Sequence, residues 1–232
     1  MCSKIREEER FKRLKACQKQ ILLYYGANPM KSEYDGMCCL HHPIRSNHLE
    51  MIKLLVRLLQ IVDLGFFLNE GKNALHIASE IGWSEIIPKL CDNGININSV
   101  DNNLDSALHL GIHNGSLSVA ECLLVNHAHV NVCNRNLLTP LLSSANLISQ
   151  IGVEKSLAFL KLLLNNNADV KLKDKKKQTI LHLLIASGHI ETIELLFQLI
   201  KEEEKQFLLN SYDDNGDYPL HVACSNNLRK VC

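Results

Sequence analysis

An all-α solenoid of stacked helix-turn-helix units is the fold class this sequence predicts, on three observations. One eight-residue pattern recurs along the chain, an apolar stretch at helical spacing follows most copies, and a short polar segment closes most units. The copies are GMCCLHHP (36–43), GKNALHIA (71–78), LDSALHLG (104–111), LLTPLLSS (137–144), KQTILHLL (177–184) and GDYPLHVA (216–223). They align without gaps, and their sixth residues are His41, His76, His109, Leu142, His182 and His221, separated by 35, 33, 33, 40 and 39 residues. A base period of 33 with short insertions belongs to a repeat array, in which no unit buries its apolar face alone and stacking builds one continuous core.

Each unit opens with a residue suited to cap a helix. Asn73, Ser106, Thr139 and Thr179 can accept an orphan amide, and Pro140 and Pro219 suit a first helical position where no donor is needed. The short first helix carries small residues such as Ala78 and Gly111, which the pattern assigns to close approach of neighbouring units. Second helices follow at 47–56, 82–91, 115–124, 153–164 and 188–197, with apolar residues at helical spacing such as Ile52, Leu55, Val56 and Leu59. Pro88 falls early in one of them, where it removes one backbone hydrogen bond at most. Gly94 is placed to close its helix in a left-handed turn, a position Asn167 tolerates and His127 tolerates less well. The fourth unit inserts about seven residues before or within its second helix, and 201–211 (KEEEKQFLLNS) reads as a longer second helix with an irregular return.

These copies, with the segments NGININ (93–98), NHAHVN (126–131) and NNADVK (166–171), resemble the ankyrin repeat family, from Gly26 to Asn227. The resemblance implies β-hairpin fingers joining the helix pairs. It implies a repeat domain over 25–232, with six repeats starting near 33, 68, 101, 134, 174 and 213, the last truncated. Residues 1–24 then read as a charged helix capping one end.

Composition narrows the function. The chain of 232 residues has 25 Lys+Arg against 25 Asp+Glu, so it lacks a sequence-wide drive toward nucleic acid or an anionic membrane. Its charged first residues lack the apolar core of a signal peptide. The apolar stretch Leu54–Leu68 is broken by Arg57, Gln60 and Asp63 and falls short of the roughly 18–20 residues of a membrane helix. The expectation is a soluble protein of the cytoplasm, with nuclear presence also allowed. Nine Cys without regular spacing then read as reduced thiols, and the sequon Asn114-Gly115-Ser116 as unused.

The residues that look chemical are better explained by register. Within Cys38-Cys39-Leu40-His41-His42, adjacent ligands converge poorly on one ion, and His41 already belongs to the repeated slot. His127, His129 and Cys133 lack a clear fourth ligand. His41, His76, His109, His182 and His221 recur with the repeat, which marks a structural role. No GxSxG, GxxxxGK[ST], HExxH or GxGxxG motif is present, so no enzyme activity, metal, cofactor or small-molecule substrate is expected.

Binding of another protein remains. The resemblance implies a concave face built from finger tips and ends of first helices, and register nominates Tyr34, Arg45, Lys72, Glu80, Asn102, Asn103, Asp105, His113, Arg135, Asn136, Leu138, Lys175, Lys176, Gln178, Asp214 and Asn215. Lys175, Lys176 and Lys177 suggest a partner with an acidic segment. The alternatives within the family are inhibitor-of-κB-like retention of a transcription factor, or the repeat portion of a larger channel or ubiquitin-ligase adaptor. The first 35 residues contain no D-S-G-x-x-S phosphodegron. Nucleic-acid binding by the lysine finger is not expected. The resemblance also implies finger asparagines open to hydroxylation, and Asn98 and Asn131 stand eight residues after Leu90 and Leu123.

Overall fold

The computed structural model describes residues 71–92 and 94–225. The 1–24 helix, the first repeat with Tyr34, Arg45, His41 and Cys38-Cys39, the start near 68 and the end of the sixth repeat lie outside those residues.

In chain order the helices are α1 (Ala74–Glu80), a 3-10 turn (Ser84–Ile86) running into α2 (Ile87–Asp92), α3 (Ala107–His113), α4 (Leu117–Val125), α5 (Pro140–Asn146), α6 (Ile148–Ile151), α7 (Val153–Asn165), α8 (Ile180–Ser187), α9 (Ile190–Leu199), α10 (Glu202–Leu209) and α11 (Pro219–Ser225). The first helices α1, α3, α5, α8 and α11 stack in sequence, and the second helices α2, α4, α7 and α9 stack beside them as another layer. The core runs between the layers. Leu75, Ile87, Leu108, Leu123, Leu141, Phe159, Leu160, Leu163, Ile180 and Leu196 are all at 1% exposure or less.

The caps explain where the first helices start. Asn73 Oδ1 accepts the amides of Leu75 and His76 at 3.0 and 3.1 Å, and Thr139 Oγ1 accepts that of Leu142 at 3.2 Å, with Pro140 in the first turn. The second helices stop at one motif used three times. Residues Gly94, His127 and Asn167 take φ of 83, 67 and 63°, and the next residue, Ile95, Ala128 or Ala168, donates back to the carbonyl of Leu90, Leu123 or Leu163 at 3.0–3.2 Å. Pro88 sits in the first turn of α2, where its missing donor costs little, and the preceding turn is 3-10.

The structure corrects three expectations and decides between the two positions allowed for the insertion. Gly111 serves its own unit, because a Cβ there would lie 2.7 Å from Val119 Cγ1 on α4; the close approach is between the two helices of one repeat. The insertion in the fourth repeat precedes the second helix as the short α6, turned into α7 by Gly152 at φ 86°. Residues 201–211 do not prolong α9: Ile200 is extended at ψ 159°, and α10 is a separate helix begun by the Lys201 amide donating to Glu204 Oε2 at 2.9 Å. Its separateness follows from composition, since three successive glutamates favour a new N-terminus. The fingers, finally, are turns without continuous strands; one antiparallel bridge, Val100 to Ser106, is formed among the described residues.

Each finger turns through a left-handed residue, and the sequence fills that slot unevenly. Gly71 and Gly216 occupy it at φ 70 and 82°, whereas Leu104, Leu137 and Lys177 occupy it at 61, 56 and 57°. A side chain there costs about 1–2 kcal/mol, only partly offset by the greater chain entropy of Gly. The double variant Leu104→Gly/Leu137→Gly, which also removes two exposed leucines, should therefore melt a few degrees higher by circular dichroism. A lower melting temperature would show that these side chains carry packing that outweighs the strain.

Candidate functional site

The fingers are held by one device repeated four times. Oδ1 of Asp101, Asn134, Asp174 and Asp213 accepts two backbone amides of its own turn: Asn103 and Asp105, Asn136 and Leu138, Lys176 and Gln178, Asn215 and Asp217, all at 2.8–3.1 Å. Successive fingers are then joined backbone to backbone. Arg135 donates to the Asn103 carbonyl at 2.9 Å, Lys175 to that of Asn136 at 3.1 Å and Asp214 to that of Lys176 at 2.8 Å. The row is held through its main chain, which leaves tip side chains such as Asn103, Arg135 and Lys176 outside the stacking bonds. The Asx residues recur with the repeat in the sequence, and that recurrence is the signal by which register could have located the device.

Beneath the fingers, repeated histidines reach from the first helices to the segments that follow. Nε2 of His109 and His182 lies 3.0 and 3.1 Å from the carbonyls of Leu138 and Asp217 in the following unit, and that of His76 lies 3.0 Å from the carbonyl of Ser99 near the end of its own unit. A carbonyl only accepts, so Nε2 carries the hydrogen and Nδ1 is left to accept the cap amides of Asn73, Ser106 and Thr179 at 3.1–3.2 Å. Burial pushes all three below the ordinary histidine pKa of 6.5, against the raising effect of nearby carbonyls and aspartates. His221 shares the repeated slot but not the burial of the other three. Its Nδ1 takes the Tyr218 amide at 3.3 Å, but the ring is exposed and lies edge-on to Tyr218 with centroids 5.6 Å apart.

A second set of links lies at the other end of each finger segment. Asn98 Oδ1 accepts the His129 amide and Asn131 Oδ1 accepts the Asp169 amide, both at 2.8 Å. The two hydroxylation candidates thus join consecutive units.

The nominated contact residues fall into two groups. Asn102, Asn103, Arg135, Asn136, Lys175, Lys176, Asp214 and Asn215 are exposed on the finger tips, and His113 is exposed at the end of α3. The rest have internal work. Lys72 pairs with Glu80 at 3.1 Å, Asp105 accepts from Asn134 Nδ2 at 2.8 Å, and Leu138 and Gln178 are half-buried. The lysine finger is also smaller than the sequence suggests. Lys177 Nζ pairs with Asp214 Oδ1 at 3.0 Å, and that carboxylate raises the Lys177 pKa, so Lys177 is neutralised by the next finger.

One cluster was missed. Lys171 and Lys173 Nζ each lie 5.9 Å from the centre of the Phe207 ring, and Lys173 is also 5.6 Å from that of Tyr212, whose carbonyl it meets at 3.2 Å. The signal was the insertion itself, since an aromatic in a charged added segment has no place in the repeat. Among the described residues no group of three or more His, Cys, Asp or Glu comes together to hold a metal, Cys91, Cys122 and Cys133 are free thiols, and no helix is long and apolar enough to cross a membrane.

Comparison with known proteins agrees with this geometry. The chain is 26% identical over 205 residues to the nuclear factor NF-kappa-B p105 subunit of Gallus gallus, covering 85% of this chain and 20% of that one. It is 24% identical over 251 residues to the transient receptor potential cation channel subfamily A member 1 of Homo sapiens, covering 88% and 21%. Against the probable 26S proteasome regulatory subunit p28 of Saccharomyces cerevisiae it is 25% identical over 205 residues, covering 87% and 85%. The chain thus spans about a fifth of the first two relatives and most of the third. The family description "Ankyrin repeats (3 copies)" matches residues 56–136 and 148–232. With its stacked helix pairs and registered capping residues, the chain belongs to the ankyrin repeat family.

Proposed function

We propose that this protein is a non-enzymatic adaptor or inhibitor that binds a partner protein along its finger tips and the adjoining ends of its first helices. Ankyrin repeats are protein–protein interaction modules, which sets the coarse class. The observation that carries the finer reading is the division of labour in the fingers. Backbone groups do the stacking and Asx side chains hold each turn, so Asn103, Arg135, Asn136, Lys176 and Asn215 are exposed and free to vary for a partner. Lys175 and Lys176, which form no ion pair among the described residues, favour a partner that places carboxylates against the fifth repeat. The proposed setting is the cytoplasm, and the nucleus where the partner is nuclear.

The similarity to the p105 subunit supports a second reading, retention of a transcription factor in the manner of an inhibitor of κB. Both readings are tested by one comparison. Full-length chain carrying Asn103→Arg, Asn136→Arg and Asn215→Arg should lose most of the proteins that co-purify with the wild type from cell extract. A variant altered on the second-helix layer, Lys161→Glu/Glu194→Lys, should keep them. The reverse pattern would overturn the finger assignment, and a co-purifying transcription factor would decide for the second reading.

A further inference from the structure

α10 is an addition to the repeat plan, and it places a ring where the plan has none. It packs against α8 and α11, and its sixth residue, Phe207, is 37% exposed with two ammonium groups 5.9 Å from its centre. Tyr212, 54% exposed, continues the strip, and Tyr218, 40% exposed, meets it edge-on at 6.0 Å between centroids. Three exposed aromatics in a row beside unpaired lysines amount to an apolar strip with a positive rim, the make-up of a binding patch.

From this arrangement we infer that Phe207, Tyr212 and Tyr218, with Lys171 and Lys173, form a docking site for a short acidic peptide segment of a partner protein that carries an aliphatic or aromatic residue between carboxylates. The inference rests on the protein-binding reading above and names a site that reading does not contain. Charge complementarity selects the occupant. No carboxylate among the described residues pairs with Lys171 or Lys173, while Lys177, one finger along, already has Asp214. A carboxylate of the segment meets lysines whose stems and rings exclude water on one side, and its apolar residue covers the rings. Single-stranded nucleic acid, which also uses lysines and aromatics, fits less well. Two ammonium groups, of Lys171 and Lys173, lie at the rings, enough for the carboxylates of a short segment, whereas a continuous phosphate backbone must also run past Glu202, Glu203 and Glu204 at the start of α10.

The test is selection of a randomised eight-residue peptide display library on the full chain, followed by fluorescence titration of the enriched peptides and of oligo-dT. The enriched set should carry two or more Asp or Glu around an apolar residue. Affinity should fall about tenfold in each of Phe207→Ala and Lys171→Glu, whose side chains are exposed enough for the fold to survive, and should weaken with salt. Enrichment without acidic bias, affinities unchanged by both variants, or oligo-dT binding tighter than any peptide would each overturn the site. If finger-tip substitutions release cellular partners while these two variants leave peptide binding unchanged, the docking site fails and the finger reading stands.

Discussion

Lowering the pH from 7.5 to 5.5 should destabilise the described repeats steeply, before most carboxylates titrate. His76, His109 and His182 are buried and neutral, with His109 and His182 bridged to the next unit and His76 to Ser99 at the end of its own. Their folded-state pKa values lie below 6.5, so the unfolded chain binds protons more readily than the folded one. Stability is therefore fully present above about 6.5 and is lost as the pH falls toward the folded-state values. The loss cannot exceed about 1.4 kcal/mol per histidine for each pH unit in that window. Charged neighbours temper it: Asp101 favours the proton on His76 and His109, as do Asp105 on His109 and Asp213 and Asp174 on His182, while Lys72 opposes it on His76 and Lys173 on His182. Urea titrations of the full chain at pH 7.5, 6.5 and 5.5 measure the effect. The triple His→Leu variant, which copies the solution Leu142 uses in the fourth repeat, should have a much flatter profile. A wild-type profile as flat as the variant's would show that the bridges are not what acid breaks.

Phe159→Ala should cost about 3–5 kcal/mol, because the ring is fully buried on α7, which packs on α4, α5 and α9 at the middle of the stack. Phe159→Leu should cost far less, since it keeps most of the volume. The shape of unfolding should change too. In a solenoid stability is a sum of unit and neighbour terms, so weakening the fourth unit uncouples the repeats on either side. Differential scanning calorimetry should show one transition for the wild type and two for the alanine variant. A cost under 1 kcal/mol with one sharp transition would mean the fourth unit is not a coupling element.

What the sequence disclosed follows the repeat. The capping role of Asn73, Ser106, Thr139 and Thr179 and the left-handed closure at Gly94 were legible because one physical requirement recurs in the same slot. Features confined to one unit were not. Gly111 looked like a contact between units until Val119 was seen beside it, and α10 has no counterpart elsewhere in the described chain to read it against. His221 shows the remaining gap: its slot is shared with His76, but the exposed ring shows that burial is set by neighbouring structure and not by slot alone. Of the candidate contact residues, periodicity could locate the finger tips. Pairings across fingers, such as Lys177 with Asp214, depend on the offset between units, which no single unit specifies.

The most direct measurement on the finger surface is site-specific photo-crosslinking in cells, with a benzophenone amino acid placed singly at positions 103, 136, 176, 161 and 194 of the full chain. Fingers as the contact surface require covalent partner adducts from Asn103, Asn136 and Lys176, with none from Lys161 or Glu194 on the second-helix layer. Adducts from positions 161 and 194 alone would contradict it and place the partner on the opposite layer.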